Sequence, residues 1–136
     1  MDRLRRRIAT AGKALDTLRE LAVIENPSRV ERDAAIQRFE YTVEAAWKAG
    51  QHYLREVEGL EIGSPKGVIR RLHETGLLRE DETALALEMI DDRNLTVHTY
   101  NEPLAEEIFK RIRIYVPLLQ EWIRAMKLRT GDIPSE

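Results

Sequence analysis

Residues 91–102 (DDRNLTVHTYNE) crowd polar and ionisable side chains into a stretch where a helix of a packed bundle would supply more apolar ones. Arg93, four intervening residues, His98, one further residue and Tyr100 offer a phosphate clamp, a proton carrier and a phenol. That set suits metal-independent RNA cleavage. A neutral imidazole takes the proton of a 2′-hydroxyl, and a guanidinium stabilises the extra negative charge on five-coordinate phosphorus. The Arg–His spacing alone carries little weight, because an Arg-rich chain produces it about once by chance. The exact gap followed by Tyr two positions later is far more selective. The same residues also fit a purely structural arrangement, with Arg93 paired to Glu88 or Asp92, His98 capping a helix end and the Tyr100 hydroxyl bonded to Asp91 or Asp92.

Helical geometry constrains the chemistry. Asn94 and His98, four residues apart, share a face of a continuous helix, and Tyr100 lies only about 20° from Arg93, but Arg93 and His98 are about 140° apart. Arg93 and His98 reach one phosphate only if the helix ends near Thr96 or a second subunit supplies one of them. A break is expected there, since the run Leu95 to Tyr100 is β-branched and weakly helical.

The elements that must carry this segment follow from periodicity. Leu4, Ile8, Ala11, Leu15, Leu18 and Ala22 recur at steps of three and four behind Asp2 as N-cap, predicting a helix that Asn26-Pro27 stops. Ser28 and Glu31 form a capping box for a second helix, Arg29 to about Val57, with Ile36, Phe39, Val43, Ala46, Gly50, Tyr53 and Val57 on its stripe. Ser64-Pro65 opens a short helix that Gly76 closes. Asp81 begins a fourth helix, and Asn101 with Pro103 begins a last one that passes through Pro117 with a kink. These spans predict an all-α, antiparallel bundle of four or five helices over residues 1–129, with residues 130–136 as a mobile tail. Trp47, Leu54, Leu87 and Leu118 fall off the main stripes and suggest a second packing surface, most simply a homodimer.

Composition excludes much else. The 136 residues make one domain, and seven Gly and five Pro are too few for a β-sandwich. The absence of Cys excludes a disulfide framework, a thiolate zinc site and a cysteine nucleophile. His52, His73 and His98 lie on three segments without ligand spacing, so neither a metal nor a cofactor is expected. Glycine-rich phosphate loops, His-Glu-x-x-His pairs and Gly-x-Ser-x-Gly elbows are missing. Glu40 and Glu44 beside Lys48 have the spacing of solvated ion pairs. The formal charge of −2 predicts neither a coat protein nor a membrane-surface binder, yet 17 of the 22 basic residues are Arg, which suits phosphate forks. Lys66, Arg70 and Arg71, and the run of Arg3, Arg5, Arg6 and Arg7, are candidates for steering an RNA backbone, although basic runs also serve simply as solvated faces. With no apolar run of membrane-spanning length and a charged amphipathic start, the chain reads as cytoplasmic.

Residues 93–102 (RNLTVHTYNE) resemble the signature of HEPN-domain proteins, most closely the HepT type long labelled nucleotidyltransferase substrate-binding proteins. Residues 38–48 (RFEYTVEAAWK) and 64–70 (SPKGVIR) support the likeness, which runs from the first helix to Trp122. The resemblance implies a helical bundle that dimerises and sets two Arg/His pairs in one cleft. Arg93 and His98 would be the ribonuclease pair, with Asn94 orienting the site. The implied partner is a minimal nucleotidyltransferase (MNT) antitoxin that transfers AMP to Tyr100 and silences cleavage of an RNA such as tRNA. The alternative from a different class is a non-catalytic module that presents a substrate to the nucleotidyltransferase or regulates it.

Overall fold

The computed structural model describes residues 2–131, which form five α-helices and no strand. They are α1 (Asp2–Ala22), α2 (Arg29–Tyr53), α3 (Pro65–Glu74), α4 (Glu80–Leu95) and α5 (Glu102–Arg129). The Ser28 hydroxyl accepts from the Glu31 amide at 3.1 Å while the Glu31 carboxylate accepts from the Ser28 amide at 2.8 Å, so the expected capping box starts α2. Ser64 caps α3 through the Gly67 amide, and Gly76, at φ 82°, closes the turn behind it. The fourth helix starts at Glu80 rather than Asp81, because Glu82 accepts from the Arg79 amide and fixes the N-terminus one residue earlier.

Long-range hydrogen bonds set the helix directions. Arg5 at the start of α1 donates to the Thr130 carbonyl beyond α5, while Arg113 in mid-α5 donates to the Ala22 and Ile24 carbonyls at the end of α1. Helices α1 and α5 therefore run antiparallel. Arg29 and Arg32 at the start of α2 bind Glu102 at the start of α5, and Tyr53 at the end of α2 meets Arg129 at the end of α5. Those two helices run parallel. Helix α4 opposes α5: Asp92 near its end holds Arg111 and Tyr115, while Arg79 at its start lies in the field of Glu121 further along α5. Between the helices lies one core centred on Trp122, Tyr53, Phe39, Leu4, Ile8 and Leu18, with Phe39 stacked on Tyr115 at 5.7 Å. Gly50 permits a close approach of α2 to α3 and α5: a Cβ there would stand 3.0 Å from Leu72, 3.1 Å from Val68 and 3.4 Å from Trp122.

Three expectations are revised. Helix α2 does not keep its phase to Val57. It passes into one π turn, Leu54–Glu58, ended by Gly59 at φ 70°. Leu54, still in α register with Ala46 and Gly50, is fully buried, whereas Val57 within the wider turn is 41% exposed. Second, Leu54 and Leu118 are buried within the protomer and Trp47 and Leu87 pack against its core, so these residues do not require a second surface. Third, Thr130 is buried and its hydroxyl bonds the Met126 carbonyl, capping α5; residues 132–136 of the expected tail lie outside the described residues. Helix α5 runs unbroken through Pro117, as expected from its unchanged phase. No helix among the described residues is long and apolar enough to cross a membrane.

Candidate functional site

The chemistry-bearing segment spans the junction of α4 and α5. Arg93 and Asn94 sit in the last turn of α4, which stops at Leu95; Thr96–His98 tightens into one 3₁₀ turn; Tyr100 precedes the Asn101 cap of α5. The helix thus ends where the β-branched run begins, and the 140° separation of Arg93 from His98 on a continuous helix does not apply. His98 and Tyr100 are brought together, their rings edge to face with centroids 6.0 Å apart. Tyr100 is 82% exposed and His98 and Asn94 are exposed, while Arg93 is half-buried. None of the four side chains makes a hydrogen bond or ion pair among the described residues. The structural alternative for them therefore fails: Arg93 pairs with neither Glu88 nor Asp92, and Tyr100 reaches neither aspartate. Four polar groups left unengaged on one turn are available to a ligand.

Three anchors that local spacing does not reveal tie the turn to the bundle. Asp92, buried beside Arg93, accepts from the buried Tyr115 hydroxyl and from Arg111 at 2.8 Å. Burial, and then the Asp92 carboxylate, push the Tyr115 phenol well above its ordinary value. The Thr96 hydroxyl donates to Glu40 of α2 at 2.6 Å and also lies 2.7 Å from the Arg93 carbonyl. Glu102, just after the turn, receives Arg32 at 2.7 Å and Arg29 at 2.6 Å, which hold its carboxyl down at about 2. Glu40 and Glu44 are not partners of Lys48 as their spacing suggested. Glu40 holds Thr96, and Glu44 accepts the Trp47 indole N–H at 2.7 Å. Each anchor joins residues from 19 to 73 positions apart, so no local sequence window contains the pair.

Beside the turn, Asp33, Ile36, Gln37 and Glu40 of α2 face Thr99 and Tyr100 across a cavity of about 580 Å³. The candidate steering residues divide. Lys66 is bound to Asp91 at 2.7 Å, next to the site, and Arg71 to Glu74 at 2.7 Å, whereas Arg70 is exposed and unpaired among the described residues. No group of three or more metal-ligating side chains occurs among the described residues.

Five helices in this order carry an Arg-x₄-His turn between the fourth and fifth. The chain belongs to the family described as nucleotidyltransferase substrate binding protein like, whose model matches residues 6–128. A protein from Thermus thermophilus of known crystal structure is 64% identical, with a TM-score of 0.84 over 86% of this chain and 98% of that one. Two further solved structures share the fold at 17% identity. One contains the tri-AMPylated HEPN toxin of Shewanella oneidensis with its MNT antitoxin (TM-score 0.77, 94% of this chain and 98% of that chain). The other is a mutant of the toxin–antitoxin pair MntA–HpeT (TM-score 0.79, 94% and 99%). Among curated proteins none matches the chain.

Proposed function

We propose that this chain is a HepT-type toxin: a metal-independent endoribonuclease acting in the cytoplasm, silenced when a cognate MNT attaches AMP to Tyr100. The observation that carries it is the unengaged set of Arg93, Asn94, His98 and Tyr100 on a turn anchored at three points. His98 takes the proton of the RNA 2′-hydroxyl, whose oxygen attacks the adjacent phosphorus. Arg93 binds the phosphate oxygens as charge accumulates, and Asn94 orients the group. The P–O5′ bond breaks, leaving a 2′,3′-cyclic phosphate, and the departing oxygen is protonated by His98 of the partner subunit or by water. Leu95 and Val97, exposed on this same turn, supply the apolar contact for a homodimer that brings two sets into one cleft. Modification has the phenol oxygen of Tyr100 displace pyrophosphate from ATP. The attached phosphodiester then pairs with Arg93, and the nucleoside occupies the space an RNA phosphate needs.

The test is incubation with total RNA in EDTA. Cleavage by the wild type that disappears in His98→Ala and Arg93→Ala supports the nuclease; cleavage surviving in both variants marks contamination. No cleavage under any condition favours the non-catalytic module that the family description denotes. Light scattering at micromolar concentration checks the dimer. Mass spectrometry after incubation with the nucleotidyltransferase, ATP and magnesium should show an adenylate increment that Tyr100→Phe abolishes.

A further inference from the structure

The site occupies one end of the α2 surface, and that surface continues away from it. Gln37 lines the cavity beside Tyr100. One turn along, Tyr41, Glu44, Ala45 and Lys48 line a separate groove of about 310 Å³ whose far wall is Arg7 and Thr10 of α1. Positions 37, 41, 44 and 48 follow steps of three and four and so share one face of α2, about 17 Å long at 1.5 Å per residue. Tyr41 is 51% exposed, an unusual placement for an aromatic ring, and Arg38 covers one of its faces at 5.9 Å from the centroid. Arg3, Arg7, Arg38 and Lys48 make no ion pair among the described residues, while Arg55 is held by Glu61. The charges gather at the far end of this face. The buried imidazole of His52 is pushed down by burial and then by the fields of Arg7, Arg55 and Arg3, opposed by Glu56. One carboxylate, Glu44, stands in the groove, already engaged by the Trp47 N–H.

A row of unpaired cations with an exposed aromatic ring among them is the surface that single-stranded nucleic acid uses. Phosphates follow the cations, and bases stack on the ring whatever their sequence. A purely solvated basic face needs no exposed Tyr, and a rigid duplex cannot turn a base out to stack on it without losing a base pair. We infer that the groove between α1 and α2 holds the single-stranded RNA flanking the scissile phosphate. Tyr41 stacks one base on its open face, Arg7, Lys48 and Arg38 contact phosphates, and the strand passes Gln37 into the cavity beside Tyr100. This deepens the ribonuclease proposal and rests on it only for the direction in which the strand leads.

Binding is measured apart from cleavage by placing every groove variant on His98→Ala. Fluorescence anisotropy follows a labelled mixed-sequence single-stranded 12-mer, longer than the groove at about 3.4 Å per nucleotide, and the same sequence as a duplex. Tyr41→Ala should weaken single-strand binding by about five-fold or more, the loss of one base–aromatic stack, while Tyr41→Phe retains it. Arg7→Glu with Lys48→Glu should weaken binding and lower the salt slope by about two phosphate contacts, a change Tyr41→Ala does not produce. All these positions lie at the surface, and circular dichroism confirms that each variant folds. The inference is overturned if the groove variants bind like their parent, if duplex binds better than single strand, or if RNA does not bind and these residues instead govern antitoxin binding. The two proposals separate cleanly. Groove-dependent binding without cleavage by the wild type sinks the nuclease alone; cleavage indifferent to Tyr41, Arg7 and Lys48 sinks the groove alone.

Discussion

Replacing Asp92 by Ala should separate the stability of the bundle from the order of its site. The carboxylate is buried and accepts from a buried phenol and a partly exposed guanidinium. Removing it leaves the Tyr115 hydroxyl buried without an acceptor, which costs about 1–3 kcal/mol, in addition to the charge-assisted bond itself at about 1.5–3 kcal/mol. Arg111 contributes little, because its side chain is 40% exposed and rehydrates; its part is discounted to below about 1 kcal/mol. Overlap between the first two losses brings the expected cost to about 3 kcal/mol, or roughly 10 °C in Tm for a chain of this length. Asp92→Asn keeps an acceptor for Tyr115 and should cost about half as much. Tyr115→Phe in the Asp92→Ala background should then cost less than it does alone, with a coupling above about 1 kcal/mol in urea unfolding. Alkaline pH gives an independent check. The Tyr115 phenol is raised in the folded state, so its contribution is complete below the ordinary value of 10 and is lost as pH climbs through the folded value. Tyr115→Phe should flatten that alkaline decline. A loss below about 1 kcal/mol for Asp92→Ala, or additivity of the two substitutions, would refute the buried-anchor argument.

Glu102→Gln should act at the other extreme of pH. Its carboxyl is depressed by Arg32 and then Arg29, so its contribution is present above the ordinary value of 4.5 and disappears as pH falls toward about 2. The acid limb of a Tm-against-pH curve should become shallower in the variant. Gly50→Ala should destabilise by about 1 kcal/mol: overpacking against the fully buried Leu72, Val68 and Trp122 costs about 1–3 kcal/mol, and helix propensity returns about 1. A stabilised Gly50→Ala in thermal melts would show that α2, α3 and α5 are looser than the distances imply. Thr96→Val removes the bond to Glu40 for about 1 kcal/mol of stability but should slow RNA cleavage more than ten-fold. Equal cleavage at matched folded fraction would release Thr96 from any positioning role.

Much of the architecture is legible in the sequence because the signals are local. The Ser28–Glu31 box, the Ser64-Pro65 start and the stripe from Ile108 to Met126 each lie within a few turns of chain, where periodicity and capping chemistry act directly. The break after Leu95 is legible for the same reason, since β-branching weakens the helix at the residues that leave it. The π turn at Leu54 is not. Its stripe reads equally well in α phase through Val57, and no local signal marks the change of winding after Tyr53. The site divides along the same line. Arg93, Asn94, His98 and Tyr100 stand out as a cluster of types in a short stretch. Their supports, Glu40, Arg111, Tyr115 and Arg32, lie up to 70 residues from the partners they hold and look like ordinary helix-face residues until the helices are packed.

The contact of Arg5 with the Thr130 carbonyl places the beginning of the first helix beside the end of the last. A bundle arranged in this way has the outer ends of its first and last helices as neighbours, and the order in which its helices are threaded is separable from the way they pack. Joining those two helix ends through a short flexible linker and opening the backbone at the exposed stretch around Gly59 and Gly63 would yield a permuted protein with its interhelical contacts intact. Opening it instead between Val97 and His98 would leave the same five helices to assemble while cutting the one turn that carries the chemistry. The folding of the bundle and the competence of its site are thus properties of different bonds in the chain.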